Sequence, residues 1–256
     1  MTRTLLASLL VLTGCFEDDS AGAPPAPFTV NPDGTMTPND TDGTGSDPAA
    51  DDDGDGFTNA EEEEAGTNPD YEYSRPYEGG YNVGFCDTPP EATGATGTTS
   101  ITQSGETYTW PSLQMGDVPN NMTFMDQYGE MVDLYSFCGK HVMILVSAGW
   151  CGPCRSLATE VQAIQDEWRD DGLQVIELIT ANNTPGNAPD QAFVRSWADE
   201  YDFVDIPVLA VPKATDYEHP AFLFDADGYI PSVYHLNERL EVVSPDQSVH
   251  TPSNWL

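Results

Sequence analysis

The sequence predicts an α/β protein, a mixed central sheet with helices on both faces, preceded by an N-terminal disordered tether. Three observations carry this expectation. The run from His141 to Ala148 holds Val142, Met143, Ile144, Leu145 and Val146 without a polar break, the signature of a strand covered on both faces. A helical pattern follows at once, from about Cys151 to Asp170, with Leu157, Val161, Ile164 and Trp168 on one face. Residues 16–50, by contrast, are rich in Pro, Gly, Thr, Asp and Asn and hold almost no large apolar side chain. Such a stretch cannot bury enough surface to offset chain entropy.

The chain has 256 residues, enough for one or two domains. Its 43 acidic against 8 basic residues give a net charge of −35. That charge argues against nucleic acid as a partner and against electrostatic attraction to anionic lipid.

Residues 1–15 read as a targeting segment. Arg3 supplies the positive start and Leu5 to Leu12 the apolar stretch, which is too short to span a bilayer. The end of this segment, Leu12-Thr13-Gly14-Cys15, resembles a bacterial lipobox. The resemblance implies cleavage before Cys15, lipidation of that cysteine, and anchoring in the cell envelope, facing periplasm or cell surface. Residues 16–50 would then space the rest of the chain from the membrane.

Residues 51–62 run Asp-Asp-Asp-Gly-Asp-Gly-Phe-Thr-Asn-Ala-Glu-Glu. Asp51, Asp53 and Asp55 alternate, Gly56 stands at position six and Glu62 at position twelve. This is the spacing of a calcium loop. Alternation lets three carboxylates converge on one hard cation, Phe57 offers its carbonyl, and Glu62 closes the shell with two oxygens. Asn59 holds the ninth position, where a water often intervenes. No helix is predicted before the loop, and only a short one after it, Asn59 to Ala65, stopped by Gly66 and Pro69. With Gly66-Thr67-Asn68-Pro69, residues 51–70 resemble a single thrombospondin type 3-like repeat, which implies bound Ca2+.

Residues 71–107 form an extension. Tyr71 to Tyr81 is aromatic and Gly-rich, a strap against the next domain, whereas Thr88 to Ser104 shows no periodicity and predicts a loop. From 108 to 245 the pattern is globular. A hairpin is predicted over Thr123 to Leu134 with its turn near Gly129, then the central strand, the helix, and a second strand Leu173 to Thr180. Asp190 caps a helix over 191–202, and Ile206 to Val211 is a short apolar stretch. Ala221 to Phe224 and Tyr229 to Tyr234 are expected to form a hairpin around Asp225-Ala226-Asp227-Gly228. A weak helix begins the C-terminal region, and residues 246–256 are a tail.

Chemistry concentrates in Trp150-Cys151-Gly152-Pro153-Cys154. A cysteine between a strand and a helix N-terminus meets free backbone N–H groups and the positive end of the helix dipole. Both favour the thiolate, which is the nucleophile. Gly116-Asp117, Asp126 to Gly129, Leu134, Gly139-Lys140, the Trp-Cys-Gly-Pro-Cys pentapeptide and Phe222 to Gly228 follow one another in a familiar order. In these residues, Gly116 to about Val243 resembles the thioredoxin superfamily, in its TlpA/ResA-like, redoxin branch.

The resemblance implies a thioredoxin-like fold and a thiol–disulfide oxidoreductase that needs no cofactor for catalysis. Its substrates would be proteins with cysteines or disulfides, and its electrons would come from a membrane donor of DsbD/CcdA type. It assigns Cys151 as the attacking thiolate, Cys154 as the resolving thiol, and Trp150, His219 and Pro220 to substrate binding, with Pro220 as the cis-proline opposite the dithiol. Arg155 would help lower the Cys151 pKa. Two departures stand out. Leu145 stands where thioredoxins carry a buried carboxylate and Leu157 where ResA-like proteins carry a Glu, which leaves Glu160 and Glu177 as candidate replacements.

With Cys15 lipidated and Cys151 and Cys154 a redox pair, Cys86 and Cys138 remain. In an oxidising compartment they are expected to bond to each other. An eight-residue strand separates Cys138 from Cys151 by roughly 25 Å, so Cys138 is structural. Other readings are weaker. A zinc site lacks a second ligand pair. A peroxiredoxin-like peroxidase needs a threonine where Ala148 stands. A calcium-organised surface binding protein would use the fold as an inert scaffold.

Overall fold

The computed structural model describes residues 28–30, 36–38, 47–213, 220–225 and 227–244. Cys15, His219 and residues 245–256 lie outside them, as do most of residues 1–46. Within that first stretch β1 (Phe28–Val30) pairs antiparallel with β2 (Met36–Pro38). Among the described residues no helix is long and apolar enough to cross a membrane.

The rest of the chain is a second unit. It opens with α1 (Asn59–Ala65), whose Thr58 and Glu61 form a reciprocal capping box and whose end is set by Gly66 in the left-handed region. Next come β3 (Gly97–Gln103) and β4 (Glu106–Ser112), a regular antiparallel hairpin. This corrects the loop expected over 88–104 and moves structure across the expected boundary at 107. Thr98, Thr99, Ile101, Thr107, Tyr108, Thr109 and Trp110 are strand formers, and Ser104-Gly105, both at positive φ, make the turn.

The main sheet follows. It contains β5 (Thr123–Met125), β6 (Met131–Asp133), β7 (His141–Ser147), β8 (Leu173–Ile179), β9 (Val208–Ala210), β10 (Ser232–Leu236) and β11 (Val242–Ser244). Their spatial order is β11-β10-β7-β8-β9-β5-β6. β7, β8 and β9 are parallel, and their neighbours on either side run antiparallel. The helices α2 (Gly152–Trp168) and α3 (Gln191–Glu200) make the crossovers.

Alternation in β7 and β8 splits the core. Met143, Leu145, Val175 and Ile179 meet Leu157, Ala158 and Val161 of α2 and Val194 and Trp197 of α3. Val142, Ile144, Val146, Ile176 and Leu178 face the other way. That second face is covered by the 3-10 turn Leu134–Phe137, by Phe224 after the short α4 (Pro220–Leu223), and by the strap tyrosines Tyr71, Tyr77 and Tyr81. The strap is tied polar group by polar group: Tyr77 Oη to Ser136 Oγ at 2.8 Å, Tyr81 Oη donating to Asp126 at 2.6 Å, and Asn82 N–H donating to Gln174 at 2.6 Å.

The hairpin expected around Asp225 to Gly228 does not form. Residues 220–223 are α4, and β10 instead turns through Asn237 to Leu240 into β11. The same strand, β11, replaces the expected start of a C-terminal helix.

Candidate active site

β7 carries the chain into the site, and a tight approach turns it. Gly149 donates its N–H to Ala181 O at 2.9 Å. A Cβ at this position would lie 2.8 Å from Asn182 C and 2.9 Å from Asn183 N, which only glycine avoids. Cys151 is the N-cap of α2, and its Sγ accepts the N–H of Cys154 at 3.2 Å. Cys151 and Cys154 are joined in a disulfide with Cα atoms 5.3 Å apart. Cys154 packs inward with Ala148 and Ala181. Cys151 instead lines a groove of about 560 Å³, with Trp150, Pro153, Lys213, Phe222, Tyr229 and Ile230 among its walls.

Among the described residues the cis peptide bond is Ile230–Pro231, and the expected His219–Pro220 bond includes a residue outside them. Ile230 O lies 3.7 Å from Cys151 Sγ, and Ser232 pairs with Val146 directly afterwards. Pro220 opens α4 instead. The bond that faces the dithiol must precede the strand running antiparallel beside β7. That strand is β10, and Ser232-Val233-Tyr234-His235-Leu236 with the turn after it was the readable signal. The turn-rich Asp225 to Gly228 drew the assignment eleven residues too early.

Arg155 has its charge engaged by partners other than the sulfur. Its guanidinium donates to Gly149 O at 2.8 Å, Asn183 Oδ1 at 2.9 Å and Tyr201 Oη at 3.2 Å, pairs with Glu200 at 2.8 Å, and stacks over Trp197 at 5.2 Å. It clamps the turn at Gly149, and Glu200 offsets its charge. The electrostatic help at Cys151 therefore comes from the helix N-terminus.

Of the two replacement carboxylates, Glu160 is exposed and Glu177 is fully buried. Glu177 is the register partner of Leu145, so its side chain enters the same layer, between the sheet and α2 and α3. Neither of its oxygens has a hydrogen-bond partner among the described residues, and Ser147 Oγ and Trp197 Nε1 are orphaned likewise. Burial pushes the Glu177 carboxyl up to about 7, an effect that neighbouring Ser147 and Trp197 offset only in part.

In the acidic loop, ligand atoms of Asp51, Asp53 and Asp55 all lie within 4.8 Å of one another. Asp53 and Asp55 each spend one oxygen on the loop itself and Asp51 spends both: Asp51 Oδ1 accepts from Gly54 N–H at 2.7 Å and Oδ2 from Gly56 N–H at 3.2 Å, Asp53 Oδ1 from Asp55 N–H at 3.1 Å, and Asp55 Oδ1 from Phe57 N–H at 2.9 Å. Asp53 Oδ2, Asp55 Oδ2 and Glu62 Oε2 are buried and without a hydrogen-bond partner among the described residues. Desolvation and the nearby aspartates push Glu62 up to about 7. Buried carboxylate oxygens left over by the loop's own bonding are what a hard dication requires. The ninth residue plays another part than expected. Asn59 is buried and locks the loop by donating to Asp47 O at 2.8 Å and Asp52 Oδ2 at 3.1 Å.

Residues 114–235 match the redoxin family model, and residues 51–69 match the bacterial TSP3 repeat. The chain is similar to the thioredoxin-like protein YneN of Bacillus subtilis, 25% identical over 127 residues, half of this chain and 68% of that one. Among solved structures it resembles the thioredoxin domain of a thiol-disulfide oxidoreductase from Bacteroides vulgatus. That match has 17% identity and a TM-score of 0.41, over 53% of this chain and 89% of the other. It also resembles a thiol:disulfide interchange protein of the thioredoxin family from Chlorobium tepidum, with 16% identity and a TM-score of 0.43, over 56% and 93%. The chain carries a redoxin domain. That domain is thioredoxin-like and holds a disulfide-capable cysteine pair.

Within this redoxin domain the sequence reading located the dithiol and Trp150 but missed the facing wall. Ile230–Pro231, Phe222 and Tyr229 come to Cys151 from more than sixty residues away, on a segment whose turn signals hid its register.

Proposed function

We propose that the protein is a lipid-anchored redoxin of the bacterial envelope that reduces or exchanges disulfides of other envelope proteins. Cys15 would hold the lipid, residues 16–50 the spacing, and the domain would face periplasm or cell surface. The observation that carries the reading is the placement of Cys151. Its sulfur caps a helix, accepts the Cys154 N–H, and opens on a groove whose far wall is the cis Ile230–Pro231 bond.

With the pair reduced by a membrane-borne dithiol donor, Cys151 thiolate attacks one sulfur of a substrate disulfide. A mixed disulfide forms, and the other substrate sulfur leaves as thiolate and takes a proton. Cys154 then loses its proton and attacks Cys151 Sγ. The Cys151–Cys154 bond forms, the bond to substrate breaks, and the second substrate thiolate leaves. Two electrons have passed from the dithiol to the substrate. Cys154 is shielded from solvent, so its proton needs an internal acceptor. Glu177, in the layer beneath α2, is suited to receive it through Ser147, which stands two residues beyond Leu145 on the same face of β7.

The acidic loop would hold Ca2+ through Asp51, Asp53, Asp55, the Phe57 carbonyl and Glu62. When bound, the ion neutralises the carboxylate cluster and orders the loop that leads into the strap.

Titrating the Cys151–Cys154 pair of the full chain against thiol/disulfide buffers tests the reading. A potential near −270 mV supports a reductase, and one near −120 mV marks an oxidant. A pair that never exchanges would refute the redox role.

A further inference from the structure

The hairpin β3–β4 lies before residue 114, outside the stretch that matches the redoxin model. It nevertheless packs against the wall of the groove. Trp110 is 2% exposed and donates Nε1–H to Asp225 O at 3.0 Å. Its ring lies 5.8 Å from that of Phe222. Just after the hairpin, Leu113 N–H donates to Leu223 O at 3.0 Å. Gly228 sits so close that a Cβ there would be 2.4 Å from Ile101 Cγ2 and 3.1 Å from Trp110 Cη2. From the inner side the same segment is held by Asp225, whose Oδ1 accepts from Gly228 N–H at 2.7 Å and Tyr229 N–H at 3.1 Å.

We infer that the hairpin, through Trp110 and Ile101, positions the 222–230 wall so that the groove selects substrate cysteines flanked by a bulky apolar residue. The substrate chemistry follows from what the wall presents. Tyr229 is 70% exposed and Trp150, which also lines the groove, 47%. Two large aromatics standing in water beside a reactive sulfur, on a chain of net charge −35, form an apolar contact surface within an acidic field. Phe222 and Ile230 continue that surface into the groove. The Asp225 carboxylate is spent on its own turn, which leaves Lys213 as the one cation lining the groove among the described residues. A segment with an aromatic or large aliphatic residue beside its cysteine fits this lining, and an acidic segment is repelled by the surrounding charge.

The inference rests on the redox function proposed above, and its test keeps the two apart. Two cysteine peptides are prepared as mixed disulfides with glutathione, identical except for Phe or Ser beside the cysteine. The small hydroxyethyl disulfide serves as a control that ignores the wall. The full-length protein should prefer the Phe peptide by about 10-fold or more in kcat/KM, the range one apolar side chain commands in a hydrophobic pocket. Trp110→Ala should cut that preference to about threefold or less by raising KM for the Phe peptide. Hydroxyethyl disulfide turnover and the reduction potential should stay at the wild-type value. Should Trp110→Ala fail to fold, Trp110→Phe, which keeps the ring and loses the hydrogen bond, and Ile101→Ala carry the same comparison with smaller shifts. A wild type without preference overturns the inference, as do folded hairpin variants that keep the full preference. A wild type that turns over neither peptide nor the small disulfide overturns the redox reading as well.

Discussion

Cys138 stands three residues before β7 and Cys151 four residues after it, so one strand separates two disulfides of opposite surroundings. Cys86–Cys138 closes a separation of 52 residues and Cys151–Cys154 one of 3. At the first, both sulfurs have the carbonyl oxygen of Glu238 at 3.8 Å. A carbonyl accepts a thiol proton but repels a thiolate. At the second, Cys151 Sγ receives a backbone N–H at 3.2 Å at the positive end of a helix. Exposure alone does not separate the two bonds, because Cys151 is 3% exposed and Cys86 half-buried; what differs is the space beside the sulfur. Cys151 lines a groove, whereas Cys138 is buried under the strap, with Gly84 too close to Cys138 O for any side chain. Both bonds have a carbonyl oxygen near a sulfur, Ile230 O lying 3.7 Å from Cys151 Sγ, so what sets the exchanging bond apart is the N–H that Cys151 receives at the helix N-terminus and the groove it lines.

Removing each bond separates the two roles most sharply. Cys151→Ser should lower disulfide exchange by about 10³-fold or more, the order lost when a covalent nucleophile is removed. Cys154→Ser should instead accumulate the mixed disulfide with substrate, visible as a covalent adduct by mass spectrometry. Cys86→Ser paired with Cys138→Ser should leave the exchange rate within about twofold, since neither sulfur reaches the groove, yet lower unfolding stability by up to ~4 kcal/mol from loop entropy. An exchange rate that collapsed in that double variant would break the contrast and place the strap within the catalytic machinery.

How much of each bond could be read beforehand follows from how its surroundings are assembled. The pentapeptide Trp150 to Cys154 and the acidic loop are contiguous, so spacing alone gave the helix cap and the converging carboxylates. The pairing of Cys86 with Cys138 followed from counting cysteines. Ile230–Pro231 was missed because its place depends on the register of β10 against β7, a tertiary choice that a local Asp-Gly turn signal outweighed. The hairpin β3–β4 was missed because runs of threonine and glycine read as loop until Ile101 and Trp110 are seen to pack on the 222–230 segment. Arg155 was legible as a charge next to a cysteine but not as a clamp, since Glu200, Tyr201 and Asn183 reach it only in the fold.

Glu177 sharpens the comparison on the catalytic side. Its folded pKa of about 7 lies above the ordinary glutamate value of 4.5. The native state keeps a proton that the unfolded chain gives up, so this group makes stability fall as pH rises from about 4.5 to about 7, with no further change above. The span corresponds to roughly 3 kcal/mol as an upper bound. Glu177→Gln should flatten that slope in denaturant titrations and raise stability above pH 7. It should also slow release of the mixed disulfide by about 10- to 100-fold and remove the pH dependence of that step near neutrality. Flattened stability with an unchanged release profile would leave Glu177 a buried acid without a part in proton transfer.

The smallest expected effect belongs to the calcium loop, because it reaches the domain only through the strap. Glu62 O holds Thr67 N–H at 2.9 Å, Asn68 N–H donates to Ser74 Oγ at 3.1 Å, and Tyr71 Oη donates to Tyr135 O at 3.3 Å. Arg75 adds a bond to Tyr77 Oη at 3.1 Å and an ion pair with Asp133 at 3.4 Å. These links are few and mostly exposed or partly buried, so the gain is bounded by the ion's own mass-action term. Calcium at ten times its dissociation constant should add about 1.4 kcal/mol to unfolding stability, the mass-action value for one site that binds only the native state. Asp53→Asn with Glu62→Gln should abolish that gain. Hydrogen exchange should show protection rising over residues 51–70, while the Cys151–Cys154 potential stays unchanged, because the strap grips the Cys138 end of β7 and not its catalytic end. A potential that moved with calcium would join the two ends of the strand after all.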